Sequence, residues 1–485
     1  MKNHAHTRLT KIVVTMGPAL DHDDALRDVL RAGASVFRAN FSHGIAEDHE
    51  KRIQKARQFA AELGHEIAIL ADLQGPKIRI ARFKNKKIEL KDGQDFTIDI
   101  DMDPQAGTTE AVGSDYLALP QDVCMGDTLL LDDGKIVLSV KDIIGNKVYC
   151  TVVVGGELSD NKGINRKGGG LSAPALTDKD RQDLKTAIRL GADYIAVSFP
   201  RSAADIFEAR ILIKAAKGHA KIIAKIERAE AIPVIDEIIR ASDAVMVARG
   251  DLAVEIGDAE VPAVQKHIIR RSRALNKPVI TATQMLESMI YSPVPTRAEV
   301  SDIANAVLDH TDAIMLSAET ASGKYPAKAV EAMARAASAV EKHPEAYTIT
   351  SEPEPVFKAV DEAIAMAAMY TANHLNIKAI IALTESGNTP LWMSRIRSGI
   401  PIYALSRSVA TQRAMTLYRG VHPIAFDPTQ FEGRELNKQV VACLQERGLV
   451  TQGDLVLITK GDQAGVHGKT NTMKIYEVGF IKEGD

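Results

Sequence analysis

Between Lys11 and about Pro326, short β-branched runs alternate with longer amphipathic segments until eight such runs have passed. Parallel strands need a crossover that a helix supplies, so the alternation predicts repeated βα units around a parallel sheet. The runs fall at residues 11–15, 35–41, 66–73, 193–199, 221–227, 243–249, 278–284 and 312–317. Their apolar stretches are nearly continuous, as strands covered on both faces require, and eight is the number that closes a (β/α)₈ barrel. Helix signals lie between them: Thr177 stands ahead of Asp178-Lys179-Asp180, and Gly191 follows Arg189-Leu190.

The alternation breaks between the third and fourth runs. Residues 77–167 have little helical periodicity and many turn signals, among them Asp92-Gly93, Asp132-Asp133-Gly134 and Gly145-Asn146. This predicts a small β domain inserted at the barrel mouth, where a lid would sit. After the polar, proline-bearing stretch Ser351-Glu352-Pro353-Glu354-Pro355, runs at 378–384, 401–406, 421–426 and 454–459 predict a third, open α/β domain. The expected division is a barrel from 1–76 and 168–350, a lid over 77–167 and a C-terminal domain over 356–485.

Composition narrows the partners. Lys and Arg (60) nearly balance Asp and Glu (63), without the basic excess that a nucleic-acid backbone demands. No apolar run approaches the ~20 residues needed to span a bilayer, so neither nucleic acid nor membrane is an expected partner, and a cytoplasmic protein is. Cys124, Cys150 and Cys443 show no Cys-x-x-Cys spacing and read as packing residues in a reducing compartment.

In a (β/α)₈ barrel the site lies at the carboxyl ends of the strands. The polar residues there are Arg38, Asn40 and Ser42; Asp72; Ser198; Lys225 and Glu227; Arg249 and Asp251; Thr281 and Thr283; Ser317 and Glu319. Many stand at i, i+2, which puts both side chains on one side of a strand. Stability alone would be served by apolar filler, whereas a ring of charges implies mutual ion pairs or charged ligands. Glu227 and Asp251 suit a hard divalent cation such as Mg²⁺, or Mn²⁺ in its place. Arg38 and Lys225 would balance a phosphoryl group, and backbone N–H groups at Gly250 and Asp251 could hold a carboxylate. A small phosphorylated acid fits this set.

Several blocks resemble those of the pyruvate kinases. They are Thr15-Met16-Gly17-Pro18, Arg38-Ala39-Asn40-Phe41-Ser42-His43-Gly44, Lys225-Ile226-Glu227, Met246-Val247-Ala248-Arg249-Gly250-Asp251-Leu252, Ala282-Thr283-Gln284-Met285-Leu286-Glu287-Ser288-Met289, and Pro295-Thr296-Arg297-Ala298-Glu299. The resemblance runs through barrel, lid and final domain. It implies phosphoryl transfer from phosphoenolpyruvate to ADP, giving pyruvate and ATP in the last step of glycolysis.

By resemblance, Lys225 contacts the phosphoryl group in flight, Arg38 holds the phosphate, and Glu227 and Asp251 bind the metal. Thr283 with the Gly250 and Asp251 amides receives the substrate carboxylate, while Ser317 and Thr283 lie near the route of carbon protonation. Pro18, His43, Arg79 and, from the lid, Lys162 face the nucleotide. Departures from the family pattern are Leu20, Ala39 and Ala253, none of which removes a proposed catalytic group. The family also implies a homotetramer with an effector site in the last domain. The stretch Thr384-Glu385-Ser386-Gly387-Asn388-Thr389, between a strand and a helix, reads as a phosphate cradle for a phosphorylated sugar or nucleotide effector.

One difference is specific to this chain. Many pyruvate kinases hold K⁺ beside the substrate phosphate with groups matching Asn40, Ser42, Asp72 and the next residue. Here the next residue is Leu73, and Lys77 stands where K⁺-requiring members carry Glu. An ammonium carries the same unit charge as K⁺, so K⁺ is expected not to be required. Two other readings compete: another Mg²⁺-dependent barrel enzyme acting on phosphoenolpyruvate or pyruvate enolate, and a non-catalytic metabolite sensor. The lid insertion and the lysine two residues before a metal carboxylate disfavour the former; the presence of Lys225, Glu227 and Asp251 together disfavours the latter.

Overall fold

All eight runs form strands that close into a parallel barrel. The structure, a computed structural model, describes residues 8–343, 357, 359–462 and 468–479. Strands Lys11–Thr15, Val36–Asn40, Ala68–Asp72, Tyr194–Val197, Lys221–Ile226, Ala244–Ala248, Val279–Ala282 and Ala313–Leu316 each pair with their neighbours in chain order. The eighth closes on the first, Lys11 facing Ala313 and Val14 facing Leu316. The interior is a packed core. Val13, Val36, Leu70, Ala196, Ile223, Met246, Ile280 and Met315 fill it, all fully buried or nearly so. Burying an aliphatic side chain of the larger kind contributes roughly 1.5–3 kcal/mol, so this layer is a main source of stability. The alternate residues, such as Val14, Ile69, Ile222 and Val247, pack outward against the helices.

That two-residue period decides what reaches the mouth. Continuing the inward register past the filler gives Arg38 and Asn40 after Val36, Asp72 after Leu70, Ser198 after Ala196, Lys225 and Glu227 after Ile223, and Ser317 after Met315. Arg249 and Thr281 fall on the opposite parity and depart from the expected ring. Thr281 is fully buried in the wall, donating to the Thr311 hydroxyl at 3.0 Å.

Between the third and fourth barrel strands the chain builds a six-stranded sheet and a separate two-stranded one, with their own core around Phe96, Leu129, Leu138 and Cys150. The last part of the chain forms a five-stranded sheet from Ile377–Leu383, Ile402–Ser406, Val421–Ala425, Leu455–Gly461 and Thr470–Glu477. Four of these match the sequence expectation. The fifth, Thr470–Glu477, pairs antiparallel at the edge and is mostly polar and exposed, so it carries no burial pattern to read. The proline-bearing stretch at 351–355 lies outside the described residues. Among the described residues no helix is long and apolar enough to cross a membrane. Cys150 and Cys443 are buried as expected; Cys124 is exposed, in the turn after the short helix Leu119–Asp122.

Candidate active site

A continuous chain of buried charge crosses the barrel mouth. Arg38 donates from Nε to Asp72 Oδ2 at 2.7 Å and from a terminal nitrogen to the Thr15 hydroxyl at 3.0 Å. Lys225 Nζ lies 3.2 Å from Asp72 Oδ1 and 2.9 Å from Glu227 Oε1, and donates to Ser198 Oγ at 2.8 Å. Asp72 and Glu227 are each 1% exposed, Lys225 12% and Arg38 11%, so the two cations present their heads to the mouth over carboxylates sealed beneath.

Electrostatics follows from this stacking. Burial works against charge on Asp72, yet Lys225 and Arg38 hold it below the usual aspartate value. Burial likewise opposes the Lys225 ammonium, and Asp72 with Glu227 outweigh it and raise its pKa. Burial pushes the Glu227 carboxyl up to about 7; Lys225 pulls the other way and the charge of Asp251 adds to the rise. The two carboxylates therefore repel each other across a space that a cation would relieve. Glu227 Oε2 accepts the Phe199 N–H at 2.8 Å, whereas its buried Oε1 meets Lys225 at ion-pair distance but outside hydrogen-bond geometry. A buried carboxylate whose charge is opposed by that of Asp251 fits a hard divalent ion. Among the described residues no three His, Cys, Asp or Glu side chains form a ready-made metal cage, so substrate and water would complete the coordination.

The neighbouring loops are held in conformations that cost energy. Thr283 and Gln284 have φ of +69° and +53°, a left-handed pair that a β-branched residue resists. Arg249 clamps them. Buried beneath the loop, it donates to the carbonyls of Ala282 (3.2 Å) and Thr283 (2.6 Å) and is anchored by Asp302 at 2.8 Å. The outcome is that Thr283 Oγ1 faces the start of the helix Arg249–Ile256 and accepts the Gly250 N–H at 2.9 Å. On the other side, Glu319 accepts N–H groups of Leu286 (3.1 Å) and Ser317 (2.7 Å), tying the seventh and eighth loops together. Gly17 permits the first loop to close on the eighth, since a Cβ there would strike the Ala321 backbone. Neither the Arg249 clamp nor the Thr15 contact was foreseen; the only sequence signal was an arginine on the wrong parity for the mouth.

The remaining predicted residues spread along the mouth. Asn40 Oδ1 accepts the Ser42 N–H at 3.1 Å. A cavity of about 240 Å³ between inserted domain and barrel is lined by Lys77, Arg79, Asp132, Lys162, Arg228 and Asp251 among others. Lys162 pairs with Asp132 at 2.8 Å. His43 has its pKa lowered by burial and by the positive charges of Lys77, Arg38 and Arg79, which places it on the same side. Pro18 is exposed at the first loop. Lys77 is exposed and makes no hydrogen bond or ion pair among the described residues; it does not reach Asp72.

Far from the mouth, Thr384-Glu385-Ser386-Gly387-Asn388-Thr389 turns between Ile377–Leu383 and the helix Asn388–Arg395. Gly387 takes φ of +82° and its N–H donates to Thr384 Oγ1 at 2.9 Å. Ser386, Thr384, Lys460 and Lys469 line a cleft there, while the Thr389 hydroxyl is buried against Thr470 at 3.0 Å.

Comparison with known proteins agrees with this geometry. Residues 7–330 match the family model for the pyruvate kinase barrel domain and residues 362–476 that for the pyruvate kinase alpha/beta domain. The chain is 54% identical to pyruvate kinase II of Salmonella typhimurium, covering 97% of this chain and 99% of that one. It is 53% identical to a pyruvate kinase of Haemophilus influenzae, covering 94% and 96%. Its fold matches the crystal structure of a pyruvate kinase from Cryptosporidium parvum with a TM-score of 0.90 at 36% identity, covering 97% and 96%.

Proposed function

The chain belongs to the pyruvate kinase family, and from that premise we propose how its own residues carry the transfer of a phosphoryl group from phosphoenolpyruvate to ADP. The observation that carries the assignment is the Arg38, Asp72, Lys225, Glu227 charge chain across the barrel mouth. An oxygen of ADP's terminal phosphate attacks phosphorus in line, and the bond from phosphorus to the enol oxygen breaks with its electron pair leaving on the enolate. The enolate carbon then takes up a proton to give pyruvate. A divalent cation, Mg²⁺ or Mn²⁺, held by Glu227 and Asp251 would supply charge neutralisation at the enolate and carboxylate oxygens.

Lys225 and Arg38 stand fixed before substrate arrives, so neutralising the phosphoryl oxygens requires little reorganisation. Asp72 serves both by holding them at a set separation. The Gly250 N–H, which meets Thr283 Oγ1 at 2.9 Å, turns with the Asp251 amide to the substrate carboxylate at the helix start. Thr283 and Ser317 border the face of the enolate where the proton is added. Pro18, His43, Arg79 and Lys162 receive the nucleotide, and closure of the inserted domain excludes water that would hydrolyse the moving group. A coupled assay with phosphoenolpyruvate, ADP and Mg²⁺ tests the reading; no pyruvate formed would refute it.

K⁺ is not required in this proposal. Leu73, at the position of a missing oxygen ligand, is 1% exposed and packs into the layer between barrel and helices. Lys77 adds positive charge at the same rim, where it already depresses the His43 pKa. In buffer free of K⁺ and NH₄⁺, with tetramethylammonium holding ionic strength, full activity is expected. A stimulation above about tenfold on adding K⁺ contradicts the proposal, since a cation site worth that much would still need filling. Lys77→Glu should lower K⁺-free activity.

The C-terminal turn at Thr384 to Thr389 is proposed as the seat of a phosphorylated sugar or nucleotide effector, supported by its hydroxyls and the adjoining Lys460 and Lys469. Replacing Ser386 and Thr389 by Ala should abolish the response to such a compound with basal rates retained. An unchanged response to every effector would remove this loop from consideration. A homotetramer is the proposed assembly; exposed Tyr291, Val294, Tyr370 and Ile475 suit self-association, and sedimentation measures it.

A further inference from the structure

We propose that Arg228, Glu230 and Glu255 are positioning residues that fasten the returning stalk of the inserted domain to the two elements carrying Glu227 and Asp251, so that lid angle and metal-carboxylate spacing change together. The inference rests on the assignment of Glu227 and Asp251 to the metal. The stalk is Arg166-Lys167-Gly168-Gly169-Gly170-Leu171, and it is gripped at three points. Gly168 donates its N–H to the Glu255 carbonyl at 2.9 Å. Gly170 donates its N–H to Glu230 Oε1 at 2.5 Å. Arg228, 4% exposed, donates to the Leu171 carbonyl at 2.8 Å. A fourth bond joins the grips, from the Ala229 N–H to Glu255 Oε2 at 2.8 Å.

Each grip is one short step from a metal carboxylate. Arg228 and Glu230 follow Glu227 in the same loop, and Glu255 stands four residues after Asp251 on the helix Arg249–Ile256, one turn along the same face. The stalk itself has little stiffness of its own. Gly168, Gly169 and Gly170 have φ of +82°, +81° and +99°, which other residues adopt only with strain, and three successive glycines leave the largest backbone entropy to be constrained. A Cβ at Gly169 would collide with the Glu230 carboxylate, so the grip needs the glycine. The outgoing connection is anchored elsewhere, Gly75 donating to Asp180 at 3.0 Å. At its three glycines the stalk has no side chains to pack, and there it is held by a carbonyl of the helix after Asp251 and by the half-buried Glu230 carboxylate, with the buried Arg228 guanidinium on the next carbonyl.

The test uses the full-length protein. Glu230→Ala removes the middle grip, on Gly170, and Glu230→Gln keeps its shape and one acceptor. In metal-free enzyme, amide exchange across 166–171 should rise about tenfold or more in Glu230→Ala, because local opening no longer breaks a charge-assisted bond. In the same variant the Mg²⁺ concentration for half-activation should rise about tenfold and kcat should fall, while KM for phosphoenolpyruvate moves less than about threefold. Glu230→Gln should return both readouts to within about threefold of the parent. Unchanged exchange, or faster exchange with unchanged Mg²⁺ dependence, overturns the proposal. If Glu230→Ala does not fold, Gly169→Ala, which displaces the carboxylate without removing it, is read by the same two criteria. Glu227→Gln separates the premises: if it leaves the Mg²⁺ dependence intact, the metal assignment fails, whereas the exchange readout still reports the grip.

Discussion

Replacing Lys225 with Met is expected to lower kcat by roughly 10²–10³ or more while KM for phosphoenolpyruvate changes little, because a preorganised charge acts on the phosphoryl group in transit and Arg38 remains to bind the ground state. Its geometry explains the size of the effect. The ammonium is tethered to Asp72, Glu227 and Ser198 at 3.2, 2.9 and 2.8 Å, so it cannot drift to solvent and its field is aimed before substrate binds. Methionine would fill the same space without the charge. Two carboxylates that are each 1% exposed would then lose a shared cation, and the Glu227 carboxyl, already pushed up to about 7 by burial, would rise further. Breaking a buried pair from one side costs about 3–5 kcal/mol, so the variant should also melt earlier. Steady-state kinetics and a thermal scan measure the two effects separately. Activity within tenfold of the parent would remove Lys225 from the chemistry.

The barrel was legible because its information is local. The third strand is buried throughout, the second and fifth are interrupted only by Arg38, Asn40, Lys221 and Lys225, and the inward register runs straight from apolar filler to Arg38, Asp72 and Lys225. The same periodicity shows where reading failed: Arg249 and Thr281 sit at strand ends among polar residues, yet parity turns both away from the mouth. What they do is fixed by partners far along the chain, Asp302 for one and Thr311 for the other, and a strand pattern holds no record of these. The edge strand Thr470–Glu477 was hidden for a different reason, having almost no buried face to impose a period. Lys77 was read from its place in the family pattern, five positions beyond Asp72. Where an exposed, flexible side chain points is set by ligand and lid rather than by the local sequence, so its place near His43 could not be deduced.

Arg395→Met should destabilise the junction between barrel and C-terminal sheet by about 3–5 kcal/mol, the usual result of stranding a buried charge. Asp312 is fully buried at the foot of the eighth barrel strand and takes a two-pronged contact from Arg395, one prong at 2.9 Å. Arg395 donates besides to the Lys277 carbonyl at 3.0 Å, and Asp312 also accepts the Arg419 and Val279 N–H groups at 3.0 Å each, so three segments meet on one carboxylate. Methionine matches much of the arginine's volume but leaves Asp312 with backbone donors alone. Coupling is testable by a double-mutant cycle: Asp312→Asn alone should be costly, and adding it to Arg395→Met should cost little more, because the partner is already gone. The protein supplies its own reporter, as its single tryptophan, Trp392, lies three residues before Arg395 in the helix Asn388–Arg395. A chain of several domains does not unfold in one step, so the early transition of Trp392 fluorescence in urea, and not a global midpoint, is the quantity to compare. The same helix begins at the proposed effector turn and ends on the barrel, which makes a second consequence follow: the variant should bind effector yet transmit less of its response. A Trp392 transition displaced by less than about 1 kcal/mol would show that the junction is held by its apolar contacts and that Arg395 is a passenger on it.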